Sequence, residues 1–328
     1  VLLAGCAGRR GLGASQSWSG VVVAEAGDVA FVGTKDGRII ALDIEADDRG
    51  RINPRVLEEF DTNERREESD GGRVGSAFYG TPVLARDRIY AASFQGFVYS
   101  LSASSNSPLD DNDVGSFEIE GDDLRAKGIV GSVAVTDDEV VVGVSEDSHS
   151  GRFYVLERLE LDENSSDSRI ERCRYPARGT DSIGQVWSTP VVSNGIAYFG
   201  DLDHFFYAIS LADCKLVWEH PAELDGAVVA PPMLLNGRIY VGSMDRSFYA
   251  ISMSSGRVSK LFTADSWFWA GAATNGTVIY APNLDGHLYA FDLDRSELLW
   301  TYDQEGGLES ILSTPAVTDG GDIVLASD

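Results

Sequence analysis

The 328-residue chain contains 43% hydrophobic residues, 35 glycines and 12 tyrosines, a composition that excludes intrinsic disorder and fits a packed, turn-rich fold. Its 26 basic and 52 acidic residues give a formal net charge of -26, which repels phosphate backbones and argues against nucleic acid as a partner. The sequence has no CxxC motif, no Cys/His cluster at zinc spacing and no apolar run of about 18 residues, so it predicts neither a structural zinc site nor a transmembrane helix.

The N-terminal residues resemble the end of an export signal. The segment Leu3-Ala4-Gly5-Cys6 resembles the lipobox of bacterial lipoproteins, in which cleavage before the cysteine exposes a thiol that carries a diacylglycerol. The alternative is a chance cysteine in an apolar terminus. The resemblance implies lipidation of Cys6, a flexible tether up to residue 17 and anchoring to a membrane of the bacterial envelope. Each buried methylene of an acyl chain contributes about 0.8 kcal/mol to that anchoring.

The remainder, residues 18–328, repeats one pattern. Each copy has an apolar strand, a glycine, a turn with Asp or Gly, and a second strand that ends aromatic-Ala-apolar. The copies lie at residues 31–43, 90–101, 142–156, 198–209, 240–251, 280–291 and, as an unfinished seventh, 323–328. The Asp/Gly positions fit hairpin turns, because Gly reaches positive φ at no steric cost and Asp bonds its own backbone.

Further apolar strands flank these hairpins. One precedes each copy, most clearly at residues 187–192 and 312–317 and more weakly at residues 18–21, 80–83 and 230–233. Another follows the third strand and ends on tryptophan, at Lys215 to Trp218 and at Glu297 to Trp300. Four short strands per unit predict an all-β fold, a β-propeller of four-stranded blades.

The repeat also predicts how the blades pack. A single unit cannot bury its sheet faces, so neighbouring units must stack. The Tyr-Ala pair supplies one large and one small side chain with which adjacent sheets can interlock, so we expect these tyrosines in the core rather than in a ligand site. We expect seven or eight blades, with the last one truncated in this chain.

Three charge-dense segments separate the early copies, at residues 45–73, 104–127 and 157–178. Insertions between strands become surface loops, which are solvated or bind partners. Within the second segment, Asp110 to Gly115 is spaced like a calcium loop, but Val114 and Gly121 stand where ligands are required. The sequence therefore predicts an acidic surface loop there, and no metal site.

The composite of Thr-Pro-Val, Tyr-x-Gly-x-x-Asp-Gly-x-x-Tyr-Ala and a terminal Trp resembles the pyrroloquinoline-quinone-type (PQQ-like) propeller repeat. The resemblance covers residues 18–328 and is strongest over residues 187–300. The family includes quinoprotein dehydrogenases and non-enzymatic lipoproteins similar to BamB, a component of outer-membrane protein assembly. The chain departs from the family pattern where Asp213-Cys214 and Arg295-Ser296 replace Thr-Gly, and where Lys260 replaces the tryptophan.

Quinoprotein dehydrogenases bind a quinone and a calcium or lanthanide ion, use a catalytic Asp, and often carry a disulfide between adjacent cysteines. No adjacent cysteines occur here. Cys173 and Cys214 fall in successive blades and could pair only within about 7 Å of each other, and two buried free thiols are the expectation. The histidines, with two in or beside blade turns, have no nucleophile motif near them: His149, His204, His220 and His287. The sequence therefore indicates no catalytic, cofactor-binding or metal residues.

The leading hypothesis is a non-catalytic, lipid-anchored propeller scaffold of the cell envelope that binds envelope proteins or peptides through the loops between its blades. A divergent quinoprotein oxidoreductase is the first alternative. A propeller that senses a sugar or another ligand is the second.

Overall fold

The computed structural model describes residues 19–62, 77–103, 108–119, 128–162, 170–180, 182–302, 310–318 and 320–326. The first three sheets contain β1 (Val21–Val23), β2 (Val29–Gly33), β3 (Arg38–Asp43), β4 (Arg55–Asp61), β5 (Val83–Ala85), β6 (Arg88–Ala92), β7 (Phe97–Ser102), β8 (Asp110–Glu118), β9 (Ala134–Val135), β10 (Glu139–Ser145), β11 (Gly151–Glu157) and β12 (Glu171–Tyr175). A helix, α1 (Arg158–Asp162), follows β11. The remaining sheets contain β13 (Val191–Ser193), β14 (Ile196–Gly200), β15 (Phe205–Ser210), β16 (Ala222–Glu223), β17 (Met233–Leu235), β18 (Arg238–Gly242), β19 (Ser247–Ser252), β20 (Val258–Thr263), β21 (Ala273–Thr274), β22 (Val278–Pro282), β23 (Leu288–Asp292), β24 (Glu297–Tyr302), β25 (Ala316–Val317) and β26 (Ile323–Val324).

These strands pair antiparallel with their chain neighbours, forming six four-stranded sheets and one two-stranded sheet within the described residues. We number the sheets blades 1 to 7 in chain order. Blades 1 to 3 belong to one compact unit, residues 15–182, and blades 4 to 7 to a second built mainly from residues 183–328.

In each blade the chain enters the first strand at the end where the second strand turns into the third. We call this the entry end, and the opposite end the far end.

Within each of the two units, hydrophobic clusters lie between successive sheets, as the repeat predicts. In blade 5, Tyr249 and Ile251 pack in a cluster shared with blade 4. Ala250, which lies between them, and its cross-strand partner Tyr240 pack in a cluster shared with blade 6. Because side chains alternate across a strand, each blade offers one face to each neighbour, and the predicted Tyr-Ala interlock is confirmed.

In blades 1, 4 and 5 a glycine ends the second strand, where the next blade packs closely. An added Cβ would lie 2.4 Å from Val228 Cβ at Gly200 and 2.2 Å from Phe268 Cβ at Gly242. The same entering residue donates its backbone N–H to the preceding blade, as Val228 does to the Asp201 carbonyl at 2.9 Å. Any side chain at these glycines would therefore separate neighbouring blades.

The hairpins at the far end of blades 4 and 5 are two-residue Asn-Gly turns. Asn194 and Gly195 have φ values of 52° and 71°, and Asn236 and Gly237 have 50° and 73°. Positive φ at both central residues is the type I′ geometry, whose twist matches that of the flanking strands. These turns fix the register in which the first and second strands pair.

Of the two fourth strands predicted from sequence, one is confirmed and one is wrong. Glu297 to Trp300 lies in β24, as predicted. At residues 215–218 the expectation of a strand is wrong: only an isolated bridge joins Leu216 to Ile209, and the fourth strand β16 begins at Ala222. Val217 N–H still donates to the Ala208 carbonyl at 2.8 Å, and the next residue, Trp218, contacts blade 5.

The three charge-dense segments are not simply surface loops, contrary to expectation. They supply the fourth strands of blades 1 to 3, β4, β8 and β12. The acidic run that starts at Asp110 forms the beginning of β8 rather than a loop. Outermost strands pair on one side only and remain partly exposed, so they tolerate the charged residues that made them resemble insertions.

The third segment also contains α1, which packs on blade 2. Asp162 of this helix accepts hydrogen bonds from Tyr90 Oη at 2.9 Å, Ser100 Oγ at 2.6 Å and an Arg158 guanidinium nitrogen at 2.8 Å. Leu161 is fully buried, and its carbonyl oxygen would lie 1.7 Å from a Cβ added at Gly115. This segment therefore joins blade 3 to blade 2.

One tryptophan docks on the following blade. The Trp218 indole N–H donates to the Met253 carbonyl at 2.9 Å, and the ring packs on Gly256, where an added Cβ would lie 2.9 Å away. The corresponding Trp300 of blade 6 is 42% exposed. The family pattern places glycine four residues before this tryptophan, and here Cys214 and Ser296 occupy that position with φ of 50° and 56°.

The expectation of free thiols is wrong, because Cys173 and Cys214 are both disulfide-bonded. The sequence could not decide this, since a disulfide depends on which cysteines the fold brings together. Within the residues that the structure describes, no helix has the length and apolarity needed to cross a membrane.

Candidate functional site

The entry end of blades 4 to 6 brings recurring polar and aromatic positions together. At each blade, the second residue of the turn between the second and third strands donates its N–H to the segment that enters the first strand. These bonds join Leu202 to Gln185 at 3.0 Å, Met244 to Ala227 at 2.9 Å and Leu284 to Trp267 at 3.0 Å. Turns and entering segments therefore form one continuous surface.

Carboxylates of the turns hold the tyrosines of the third strands. Tyr207 Oη donates to Asp201 Oδ2 at 2.8 Å, and Tyr249 Oη donates to Asp245 Oδ2 at 2.5 Å. Burial, reinforced by Asp245, raises the pKa of Tyr249 to about 12. Burial also raises the pKa of the fully buried Asp201 carboxyl. For Asp245, burial opposes ionisation, but hydrogen bonds from Tyr249 and Ser247 leave its pKa below the usual value.

Blade 5 carries a lysine where the repeat expects tryptophan. Lys260 Nζ lies 2.8 Å from Asp225 Oδ2 and 3.5 Å from Asp245 Oδ2. It also lies 5.4 Å from the centre of the Tyr249 ring. The hydrogen bond with Asp225 raises the pKa of Lys260 and lowers that of Asp225. Lys260 thus forms an ion-pair cluster at the entry end.

Three tryptophans occupy the entering segments of blades 4 and 6. Trp187 and Trp269 pack edge to face, with ring centroids 6.3 Å apart and planes at 65°. Trp267 lies two residues before Trp269 and is 48% exposed. The buried Phe268 between them faces the core. Aromatic pairs in this geometry are preferred arrangements, and they place large apolar surface beside solvent.

Carboxylates outnumber cations among the groups at the entry end of blades 4 to 6. The acidic groups include Asp203, Asp225, Asp245, Asp265 and Asp285, and the permanently charged basic groups include Lys260 and Arg246. His287 Nδ1 lies 2.6 Å from Asp285 Oδ1. We call Trp187, Trp267, Trp269 and these five aspartates the acidic aromatic surface. Its composition suits a partner segment that carries positive charge.

Two histidines lie in or beside blade turns, as the sequence predicts. His204 lies in the turn of blade 4 with φ of 73°, and His287 lies beside the turn of blade 6. In the described part of the chain, no group of three His, Cys, Asp or Glu side chains is arranged to hold a metal ion. Cys6, the predicted lipidation site, lies outside the described residues.

The acidic aromatic surface was missed by reasoning from sequence, although part of its signal was present. Trp267 and Trp269 alternate in one short segment, as residues do that share a face of an extended chain. The contact between Trp187 and Trp269 spans an intervening blade, so only the stacked structure shows it.

Comparisons with known proteins agree with this architecture. The crystal structure of BamB from Moraxella catarrhalis has a TM-score of 0.63 and 17% identity, covering 94% of this chain and 79% of that chain. The crystal structure of the computationally designed Ika8 protein has a TM-score of 0.53 and 12% identity, covering 94% of this chain and 95% of that chain. A search of curated proteins found no match. At these identities the likeness shows the fold alone, and it confirms the predicted β-propeller.

A sequence profile of one family spans most of the chain. The profile is described as outer membrane protein assembly factor BamB, and it matches residues 9–160 and 178–328. The two matched ranges include residues of all seven blades, with β12 of blade 3 lying between them. The chain belongs to this BamB family of PQQ-like propellers.

Proposed function

We propose that the protein is a non-catalytic scaffold of the bacterial cell envelope, anchored by a lipid on Cys6, which binds envelope proteins or peptides at the acidic aromatic surface. The family description supports a role in assembling other proteins. The segment from Leu3 to Cys6 supports the anchor. Both features support a position outside the cytoplasm, where its partners would be exported proteins.

The observation that carries the binding role is the exposure of Trp267 beside the Trp187–Trp269 pair. Tryptophan is among the residues that contribute most to protein interfaces, because its large rigid surface costs little entropy to bury. The surrounding aspartates favour a basic partner and would speed its encounter. Arg or Lys side chains of that partner could also stack on the indole faces.

Affinity for a defined basic peptide tests this proposal. We expect a fluorescent peptide of alternating Arg and Leu to bind the purified protein more tightly than its Glu-for-Arg counterpart, with an affinity that falls as salt is added. Trp267→Ala should weaken binding about tenfold, equivalent to about 1.4 kcal/mol. Val217→Ala, which alters a 44% exposed residue away from this surface, is the matched control. Equal binding of both peptides, or equal losses in both variants, would refute the proposal.

The non-catalytic role is tested with the cofactors of the quinoprotein alternative. The tyrosines and carboxylates at the entry end already hold one another in hydrogen bonds, which supports a structural use for them. Added pyrroloquinoline quinone and calcium should therefore leave the protein without quinone absorbance and without alcohol- or sugar-dependent dye reduction. Either signal would support the oxidoreductase instead.

The lipid anchor is tested with the protein expressed with its own export signal. We expect Cys6→Ser to move the protein from the membrane fraction to the soluble fraction, because the thiol is the only group to which the diacylglycerol can be attached. Mass spectrometry of the mature N-terminus should show a diacylated Cys6 in the parent protein. An unmodified Cys6 still preceded by Gly5 would exclude the anchor.

A further inference from the structure

A second surface lies at the far end of blades 1 and 2, within the unit of residues 15–182. An open groove of about 500 Å³ runs between the turns that join the first and second strands of these two blades. Val23, Phe31 and Leu84 contribute apolar lining, and Glu25, Asp28 and Asp87 stand along it. Val23 is 45% exposed, which leaves apolar surface open to solvent.

One side of the groove is formed by a turn of blade 1 that is longer than the corresponding turns of blades 4 and 5. Blades 4 and 5 make this connection with two-residue Asn-Gly turns, whereas in blade 1 the chain continues from Ala24 to Asp28 before β2 begins. Ala24 N–H donates to the Val29 carbonyl at 2.8 Å, and Gly27 N–H donates to the Ala24 carbonyl at 2.9 Å. The longer turn is thus internally bonded and forms a fixed wall.

Hydrogen bonds to the third strands secure both walls. Ile44 N–H donates to the Asp28 carbonyl at 2.8 Å, and Ala103 N–H donates to the Asp87 carbonyl at 2.7 Å. These bonds fix the turns through their backbone, so the carboxylates of Asp28 and Asp87 are kept beside the groove. A preformed groove binds at lower entropic cost than one that must be ordered by its ligand.

The charges along the groove favour a positively charged ligand. Three carboxylates stand against one cation, Arg86, and the Arg86 guanidinium lies 2.8 Å from Asp137 Oδ1, which neutralises it. A lysine or arginine side chain satisfies both features of the groove, because its aliphatic stem can cover the valines while its charged head meets the carboxylates. Anionic lipid head groups and acidic peptides would be repelled.

We propose that the groove between the far ends of blades 1 and 2 binds a segment of a partner protein in which lysine or arginine residues alternate with aliphatic residues. This contact is separate from the acidic aromatic surface. It does not depend on the function proposed above, because it uses other residues at the opposite ends of other blades.

Photo-crosslinking with a defined peptide tests this inference. The probe is a peptide of alternating lysine and photo-leucine, and its glutamate counterpart is the negative control. We expect mass spectrometry to place crosslinks within residues 22–29 or 84–87. Crosslinks found only elsewhere, or equal labelling by the glutamate peptide, would overturn the proposal.

Matched variants separate the groove from nonspecific attraction to an acidic protein. Asp28→Asn combined with Asp87→Asn should lower crosslinking in the groove about tenfold, whereas Asp48→Asn combined with Asp138→Asn removes the same charge from exposed positions outside it and should change crosslinking less than about twofold. Equal losses in the two double variants would contradict the groove. Circular dichroism of each variant confirms folding.

The Trp267→Ala variant separates the groove from the acidic aromatic surface. Crosslinking to residues 22–29 and 84–87 should be unchanged in this variant if the groove binds independently. Loss of the groove crosslinks in Trp267→Ala would show that the peptide is held elsewhere, and this too would overturn the proposal. A failure of the proposed function therefore remains distinguishable from a failure of the groove.

Discussion

Tyrosines of the third strands combine packing with a polar contact at the edge of the sheet. Tyr249 is 2% exposed and packs against blade 4, yet its hydroxyl reaches Asp245 at the entry end. A buried tyrosine is favourable when its hydroxyl finds such a partner. This arrangement explains why the repeat retains tyrosine where phenylalanine would fill the same space.

Substitution of Asp245 tests the value of this contact. Because the pKa of Asp245 is lowered in the folded protein, its stabilising effect is present above its usual value of 3.8 and is lost as the pH falls through the lower folded value. Asp245→Asn should therefore lower the free energy of unfolding by about 1 kcal/mol at neutral pH, and the difference should shrink in acid. Urea unfolding across this pH range measures it, with the exposed Asp48→Asn as control. A difference that grows in acid would contradict this assignment.

At the scale of elements, the glycine that ends the second strand in blades 1, 4 and 5 allows the close approach of the next blade. Gly242→Ala would place a methyl group against Phe268 Cβ, so we expect a loss of about 1 to 3 kcal/mol in unfolding free energy. Gly320→Ala is the control, because the nearest atom to its added Cβ lies 3.7 Å away. Chemical denaturation of both variants provides the comparison. A Gly242→Ala protein as stable as the control would show that the blades are not packed at this distance.

The docked tryptophan and its exposed neighbour offer a comparison within one segment. Trp218 is 5% exposed and bonded to the next blade, whereas Val217 is 44% exposed. We expect Trp218→Ala to cost about 3 to 5 kcal/mol and Val217→Ala less than about 1 kcal/mol. Thermal unfolding of the two variants tests this order. Equal losses would mean that docking on Met253 and Gly256 contributes little.

The second and third strands were predictable from sequence because both are central in their sheets. Each of them pairs on two sides and buries both faces, so its apolar residues and turn glycines recur visibly, as in residues 240–251. The fourth strands were harder to predict. In β4, exposed residues alternate with more buried ones, and its charged residues resemble the charged sequence around it. Helix α1 depends on a buried network with Tyr90 and Ser100 more than 60 residues away, and local sequence carries no signal for it.

At the scale of the whole molecule, the fold explains why function was harder to predict than architecture. The repeat residues maintain the contacts between blades, and a fold does not by itself determine what a protein binds. The residues available for binding are those that the repeat leaves outside these contacts, such as Trp267 and Asp225. Their grouping follows from stacking of the blades, which a single sequence does not reveal.

The net charge of -26 acts across the whole surface and gives a general attraction for basic partners. Specific binding requires apolar contact in addition, and exposed tryptophan provides it at the entry end of blades 4 to 6. A partner held only by charge would dissociate as salt is added, whereas one anchored on Trp267 would lose affinity more gradually.

The most direct test of the scaffold function is photo-crosslinking in the living cell from a benzoylphenylalanine placed at position 267, with position 217 as the control. We predict a discrete crosslinked envelope protein at position 267 whose crosslinked segment is basic, and no such product at position 217. No crosslink at position 267, or the same products from both positions, would contradict the account.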